Sequence, residues 1–129
     1  MKRLSIAGLA GAALLIAAPA FAANVATEIT TAHTHAIFAS KASSITAVHM
    51  HMHHALNCLV GPKGEGYDAS QMDPCKGSGN GAIPDEMDAA KKSRLETAKT
   101  DLVNGIAATN MATAKSAATS AAETLASIK

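Results

Sequence analysis

Tryptophan is absent from this 129-residue chain, tyrosine occurs once and phenylalanine twice. A core therefore has almost no aromatic side chains to draw on and must be built from Ala, Val, Ile, Leu and Met. Charge is sparse as well: 16% of residues are Asp, Glu, Lys or Arg, and they balance to +1. A nucleic-acid or anionic-membrane role has no electrostatic support from such a balance. The two cysteines, Cys58 and Cys75, form no Cys-x-x-Cys-His, which excludes covalently attached haem. No nucleophile, base and orienting acid can be recognised together, so the chain is read as a non-enzyme.

What is present begins with Met1-Lys2-Arg3, followed by an uncharged run from Leu4 to Ala18 and then Pro19-Ala20-Phe21-Ala22. This order predicts a secretory signal peptide over residues 1–22, cleaved after Ala20-x-Ala22. A transmembrane anchor is the rival reading, but the run falls short of the roughly 20 residues a bilayer requires. Loss of Lys2 and Arg3 takes the basic count from 11 to 9 against 10 acidic residues, a net charge of −1. Residues 23–129 then make one small domain, periplasmic or secreted, with no membrane contact after cleavage. A core so poor in large side chains calls for extra fastening. In an oxidising compartment the simplest role for Cys58 and Cys75 is a disulfide, with free thiols as metal ligands the alternative.

The densest chemistry lies in His49-Met50-His51-Met52-His53-His54, with four imidazoles and two thioethers in six consecutive residues. Ligands of this softness suit copper or zinc and not magnesium or calcium. All six histidines of the chain fall between His33 and His54. The bland alternative is that they are neutral, solvated helix residues without a ligand.

Periodicity predicts an all-α chain. Val25, Ile29, Ala32 and Ala36 recur at helical spacing over residues 24–41, with His33 on the edge of the apolar face and His35 to one side. Ser43 or Ser44 is placed to cap a second helix over residues 45–59. Its stripe is Ile45, Val48, Met52, Ala55, Leu56 and Leu59, which assigns Met52 to packing. His49 and His53 share one border of that stripe, His51 and Cys58 the other, and Met50 with His54 point outward. If the turn lies between Ala42 and Ser43, residues whose numbers sum to about 85 sit at one height. His33 is then level with Met52 and His53, and His35 with Met50 and His51.

Glycine and proline between residues 60 and 83 forbid regular helix, and no alternating apolar pattern suggests a strand. The stretch reads as a long crossover, its first part pinned by a Cys58–Cys75 bridge. Gly77-Ser78-Gly79-Asn80-Gly81 lacks the strand and the Lys-Ser/Thr pair of a phosphate loop. Asp68 and Asp73 lack the spacing of a calcium loop. Beyond it, Pro84-Asp85-Glu86 predicts a helix start with Asp85 as cap and Met87, Leu95, Ala98, Leu102 and Ile106 as its stripe. Gly105 is either its end or a close-packing site. A fourth helix is expected over residues 110–128, on Met111, Ala114, Ala118, Ala121 or Ala122, and Leu125. The architecture expected is an up-down four-helix bundle with a long Gly/Pro-rich crossover between helices 2 and 3.

The segment His51-Met52-His53-His54-Ala55-Leu56-Asn57-Cys58-Leu59-Val60-Gly61-Pro62, with Asp73-Pro74-Cys75 and Gly79-Asn80-Gly81-Ala82-Ile83-Pro84-Asp85, resembles a group of small exported bacterial proteins of unassigned function. The resemblance implies an exported helical protein with paired cysteines.

The function expected from these residues is transition-metal binding, copper preferred, for sequestration or delivery, with a metal-handling protein as partner. His33, His49 and His53 would form a first site, and His35, His51, Met50 and His54 a second or exchangeable set. Imidazole accepts either copper state, thioether favours Cu(I), and copper heads the divalent affinity order. Zinc is the competitor, in a closed nitrogen site without methionine. Non-covalent haem held between helices is a second reading. A structural or interaction module whose histidines answer to acid is the third.

Overall fold

The computed structural model describes residues 23–128, and the expected signal peptide lies outside the described residues. Five helices follow in order: α1 (Val25–Lys41), α2 (Ile45–Val60), α3 (Ala82–Asp85), α4 (Ala89–Ala107) and α5 (Met111–Ala126). The described residues contain no strand.

Each long helix starts where a short polar side chain satisfies the amide three residues on. Asn24 accepts from Thr27 N, Ser44 from Ala47 N, Asp88 from Lys91 N and Asn110 from Thr113 N, at 2.8–3.2 Å. At the other end of α2, Gly61 stops the helix with φ of 66°, a conformation that glycine adopts without penalty. Its position is constrained a second time, because a Cβ there would run into the Asn80 carbonyl, where the crossover passes the end of α2.

The four long helices pack around a shared core in which α1 lies on α2 and α5, and α4 on α5 and α2. Alanine dominates the buried positions of α1 and α5, which pack on each other: Ala32, Ala36 and Ala39 on α1 and Ala114, Ala118 and Ala121 on α5 are all fully buried. Larger side chains fill the rest, chiefly Val48, Met52 and Leu59 on α2, Leu95 and Leu102 on α4, and Leu125 on α5. Each buried leucine contributes about 1.5–3 kcal/mol from apolar surface removed from water. Gly105 is a close-packing site inside α4, since a Cβ there would collide with the methyl and sulfur of Met52. Met52 is a core residue, as its place on the stripe predicts.

Three expectations fail here for identifiable reasons. Asp85 does not cap the long helix; its carboxylate is taken by Asn80, through backbone N at 2.6 Å and Nδ2 at 3.0 Å, and α4 waits for Asp88. Met87 is therefore stranded between α3 and α4 and is 92% exposed, not on a core stripe. Met111 is also exposed, because at the first position of α5 it lies above the layer where Ala114 begins the contact.

The crossover is tethered. Cys58 and Cys75 form a disulfide, and neighbouring Asn57, fully buried, clamps the loop from the same turn of α2. Asn57 Nδ2 donates to the carbonyls of Asp68 and Met72 at 3.0 and 3.1 Å, and its Oδ1 accepts from Asp68 N at 2.9 Å. With the bridge formed there is no free cysteine, so the alternative of thiolate ligands does not apply.

Candidate metal centre

α1 and α2 are joined by the short turn after Lys41, and their shared register sets which histidines meet. His35 and His51 do so as their numbering predicts, with Nδ1 to Nδ1 at 3.3 Å. His54, one turn after His51, completes the group: its ring stands edge-on to His35 at 5.1 Å and to His51 at 5.8 Å between centroids. One ligand atom from each of His35, His51 and His54 lies within 4.8 Å of the other two. Phe38, one turn after His35, closes one side, 5.7 Å from the His35 ring and 5.4 Å from that of His51.

The separation of the two Nδ1 atoms is informative. It is beyond the usual N–H···O range of about 2.7–3.2 Å and makes a weak hydrogen bond. Two nitrogens at about 2.05 Å from one ion, at a tetrahedral angle, lie about 3.3 Å apart. The α1–α2 pair thus already holds two imidazole nitrogens at a chelating distance.

Protonation favours ligation. Burial pulls the His35 imidazole from its ordinary value near 6.5 down to about 4, and positive charge on His54 and His51 would add to the effect. His54 is lowered too, by burial and then by its neighbours His51 and His53. His54 is 7% exposed and its Nδ1 lacks a hydrogen-bond partner. Neutral imidazole is the form that binds a metal, so at neutral pH His35 and His54 compete with few protons.

A pH dependence of stability follows with a defined sign. A histidine whose folded value is depressed takes up protons more readily when unfolded, so its contribution is complete above about pH 6.5 and is lost as pH falls towards 4. For His35, with discount for its partial exposure, the loss is on the order of 2 kcal/mol. Burial raises the Glu28 carboxyl, which acts in the opposite sense. Urea unfolding of the metal-free protein at pH 7 and pH 4.5 should therefore be compared with a His35→Gln variant. The variant should show the smaller loss on acidification; an equal loss would remove His35 as its source.

The remaining predicted ligands are elsewhere. His33 lines a shallow depression with Ile37, Lys41, Thr119 and Glu123, between α1 and α5. The expected grouping of His33 with His49 and His53 is not assembled: among the described residues none of them belongs to a group of three mutually close ligand atoms. Residues two apart on a helix diverge by about 200°, so α1 can turn only one of His33 and His35 towards α2. The side chosen is His35, the reverse of its expected position off to one side. His54 is likewise buried, not outward: its ring packs against those of His35 and His51, and it begins the stretch 54–60 of α2 in which every residue is buried. Met50 is 38% exposed and lines a cleft with His49, His53 and Gln71.

Two polar residues of the interior carry no signal in the periodic pattern. Glu28 is 1% exposed; its Oε1 accepts from Gly81 N at 3.0 Å while Oε2 has no partner. Asn57, the loop clamp, stands three residues after the histidine run. Both look in sequence like ordinary polar positions of a helix, and only the fold of the crossover explains their burial.

Comparison with protein-family models, with curated proteins and with solved structures returns no match. No helix among the described residues is long and apolar enough to cross a membrane.

Proposed function

We propose that this protein is an exported, up-down four-helix bundle that binds a transition-metal ion, copper foremost, through His35, His51 and His54. The observation that carries the reading is the pair of Nδ1 atoms 3.3 Å apart across α1 and α2, with His54 completing a group within 4.8 Å. Three imidazole ligands leave further coordination positions for water or for a ligand from a delivery partner.

Copper is favoured by its place at the head of the divalent affinity order, and zinc follows closely because three imidazoles suit it equally. Haem is disfavoured by distance: trans axial nitrogens stand about 4 Å apart with the porphyrin between them, whereas these are at 3.3 Å and the rings already touch. The role we assign to the site is sequestration or delivery of the ion.

Calorimetric titration of residues 23–129 with Cu(II) and with Zn(II) tests this reading. One tight ion per chain is expected, removed in the His35→Ala/His51→Ala/His54→Ala triple variant. Equal tight binding by that variant would refute the site.

A further inference from the structure

We propose that His49 and His53, with Met50 beside them, form a second copper site in the cleft between α2 and the end of α4, one that takes Cu(I). The reading of the chain as a metal binder guides the choice of ion, but the site itself rests on separate geometry.

A histidine that ligates a metal commonly has its other ring nitrogen engaged by a carbonyl or a carboxylate, which fixes the tautomer and aims the free lone pair. His49 shows this arrangement, and His53 approaches it. His49 Nε2 lies 3.1 Å from the carbonyl oxygen of Ala108, the residue that ends α4. His53 Nδ1 lies 3.6 Å from Asp68 Oδ2, too long for a hydrogen bond but the nearest partner of a nitrogen that otherwise has none. Among the described residues, His49 Nδ1 and His53 Nε2 have no hydrogen-bond partner.

Asp68 is itself held in place. Its Oδ1 accepts from Ser70 N at 2.9 Å and Ser70 Oγ at 2.6 Å, which leaves Oδ2 for His53. Its backbone is fixed by the Asn57 side chain. An isolated solvated imidazole would need none of this support.

His49 and His53 are four residues apart, which places them as neighbours on one face of α2. They line a common cleft with Met50, Gln71 and Ile106. Two imidazoles and a thioether form a soft set that suits Cu(I). Met50 is also three residues before His53 and four before His54, so its thioether lies between this pair and the three-histidine centre on the helix surface. A second consequence is therefore exchange of the ion between the two sites, since the thioether can reach towards either.

The test is anaerobic Cu(I) titration, under a competing chelator, of the His35→Ala/His51→Ala/His54→Ala variant. It should retain one Cu(I) per chain, with affinity lowered about tenfold by adding Met50→Leu and lost on adding His53→Ala. His53→Ala leaves the His49 contact with Ala108 intact, and circular dichroism checks that the fold survives. If the triple variant binds no Cu(I) while the wild type binds one, the second site is refuted and the first stands. If the triple variant binds as the wild type does and His53→Ala abolishes it, the three-histidine reading fails and this one holds. Retention of Cu(I) with His53→Ala added would overturn the proposal.

Discussion

Replacing His35 with alanine is expected to lower copper affinity by about two orders of magnitude, whereas His33→Ala, two residues away on the same helix, should leave it within a factor of two. Loss of a group that merely orients a ligand costs about 10–100-fold, so loss of a ligand should reach at least the upper end. His35 is the group's sole ligand from α1, and its Nδ1 is the one that faces His51 across the hairpin at 3.3 Å. Without it, His51 and His54 remain on α2, too few to enclose an ion. His33 points to α5, where Thr119 and Glu123 are its neighbours. Competition titration of the two variants, with thermal unfolding as a control, separates ligation from packing. Equal losses would mean that histidine content and not placement governs binding.

The second large effect concerns the bridge. The Cys58→Ala/Cys75→Ala variant is expected to lose about 3 kcal/mol, the loop-closure value for a cross-link of this span. The sequence separation is 17 residues. In a domain of about this size the midpoint of thermal unfolding would fall by roughly 15 °C. The loss should be large here because aromatic side chains are nearly absent and alanine fills much of the core, so little stability is held in reserve. Differential scanning calorimetry reads it directly. A fall of less than about 3 °C would mean that the Asn57 clamp alone holds the crossover. Because Asn57 also positions Asp68 beneath His53, reduction should disturb the second copper site more than the first.

Much of this arrangement is legible in sequence because two signals are strong. The apolar stripe on α2 identifies Val48, Met52, Ala55, Leu56 and Leu59, and all of them are buried. Numbering across a short turn brings His35 level with His51, and their nitrogens meet. Two cysteines in a chain expected to be exported pair as the simplest account requires.

What is not legible depends on rotation about the helix axis and on the crossover. Height along a hairpin follows from counting, but whether His33 or His35 turns inward depends on which side of α1 receives α5, a contact made by residues some 80 positions later. His54 reads as exposed on a wheel drawn for one buried face, yet the His35 ring of α1 packs against it, and the loop pinned by Cys75 and Asn57 lies against the last turn of α2. Asp85 and Asp88 are equivalent as helix caps by residue type, and the choice is made by Asn80, which captures the former. Met50, the thioether most prominent in the bare sequence, lines the cleft of His49 and His53.

Anomalous diffraction at the copper edge, from crystals of residues 23–129 equilibrated with the ion, locates the metal without reference to affinity. The strongest peak should stand between the rings of His35, His51 and His54, about 2 Å from a nitrogen of each. A strongest peak outside that group, or none with the three rings in place and the crystals copper-saturated, would contradict the assignment.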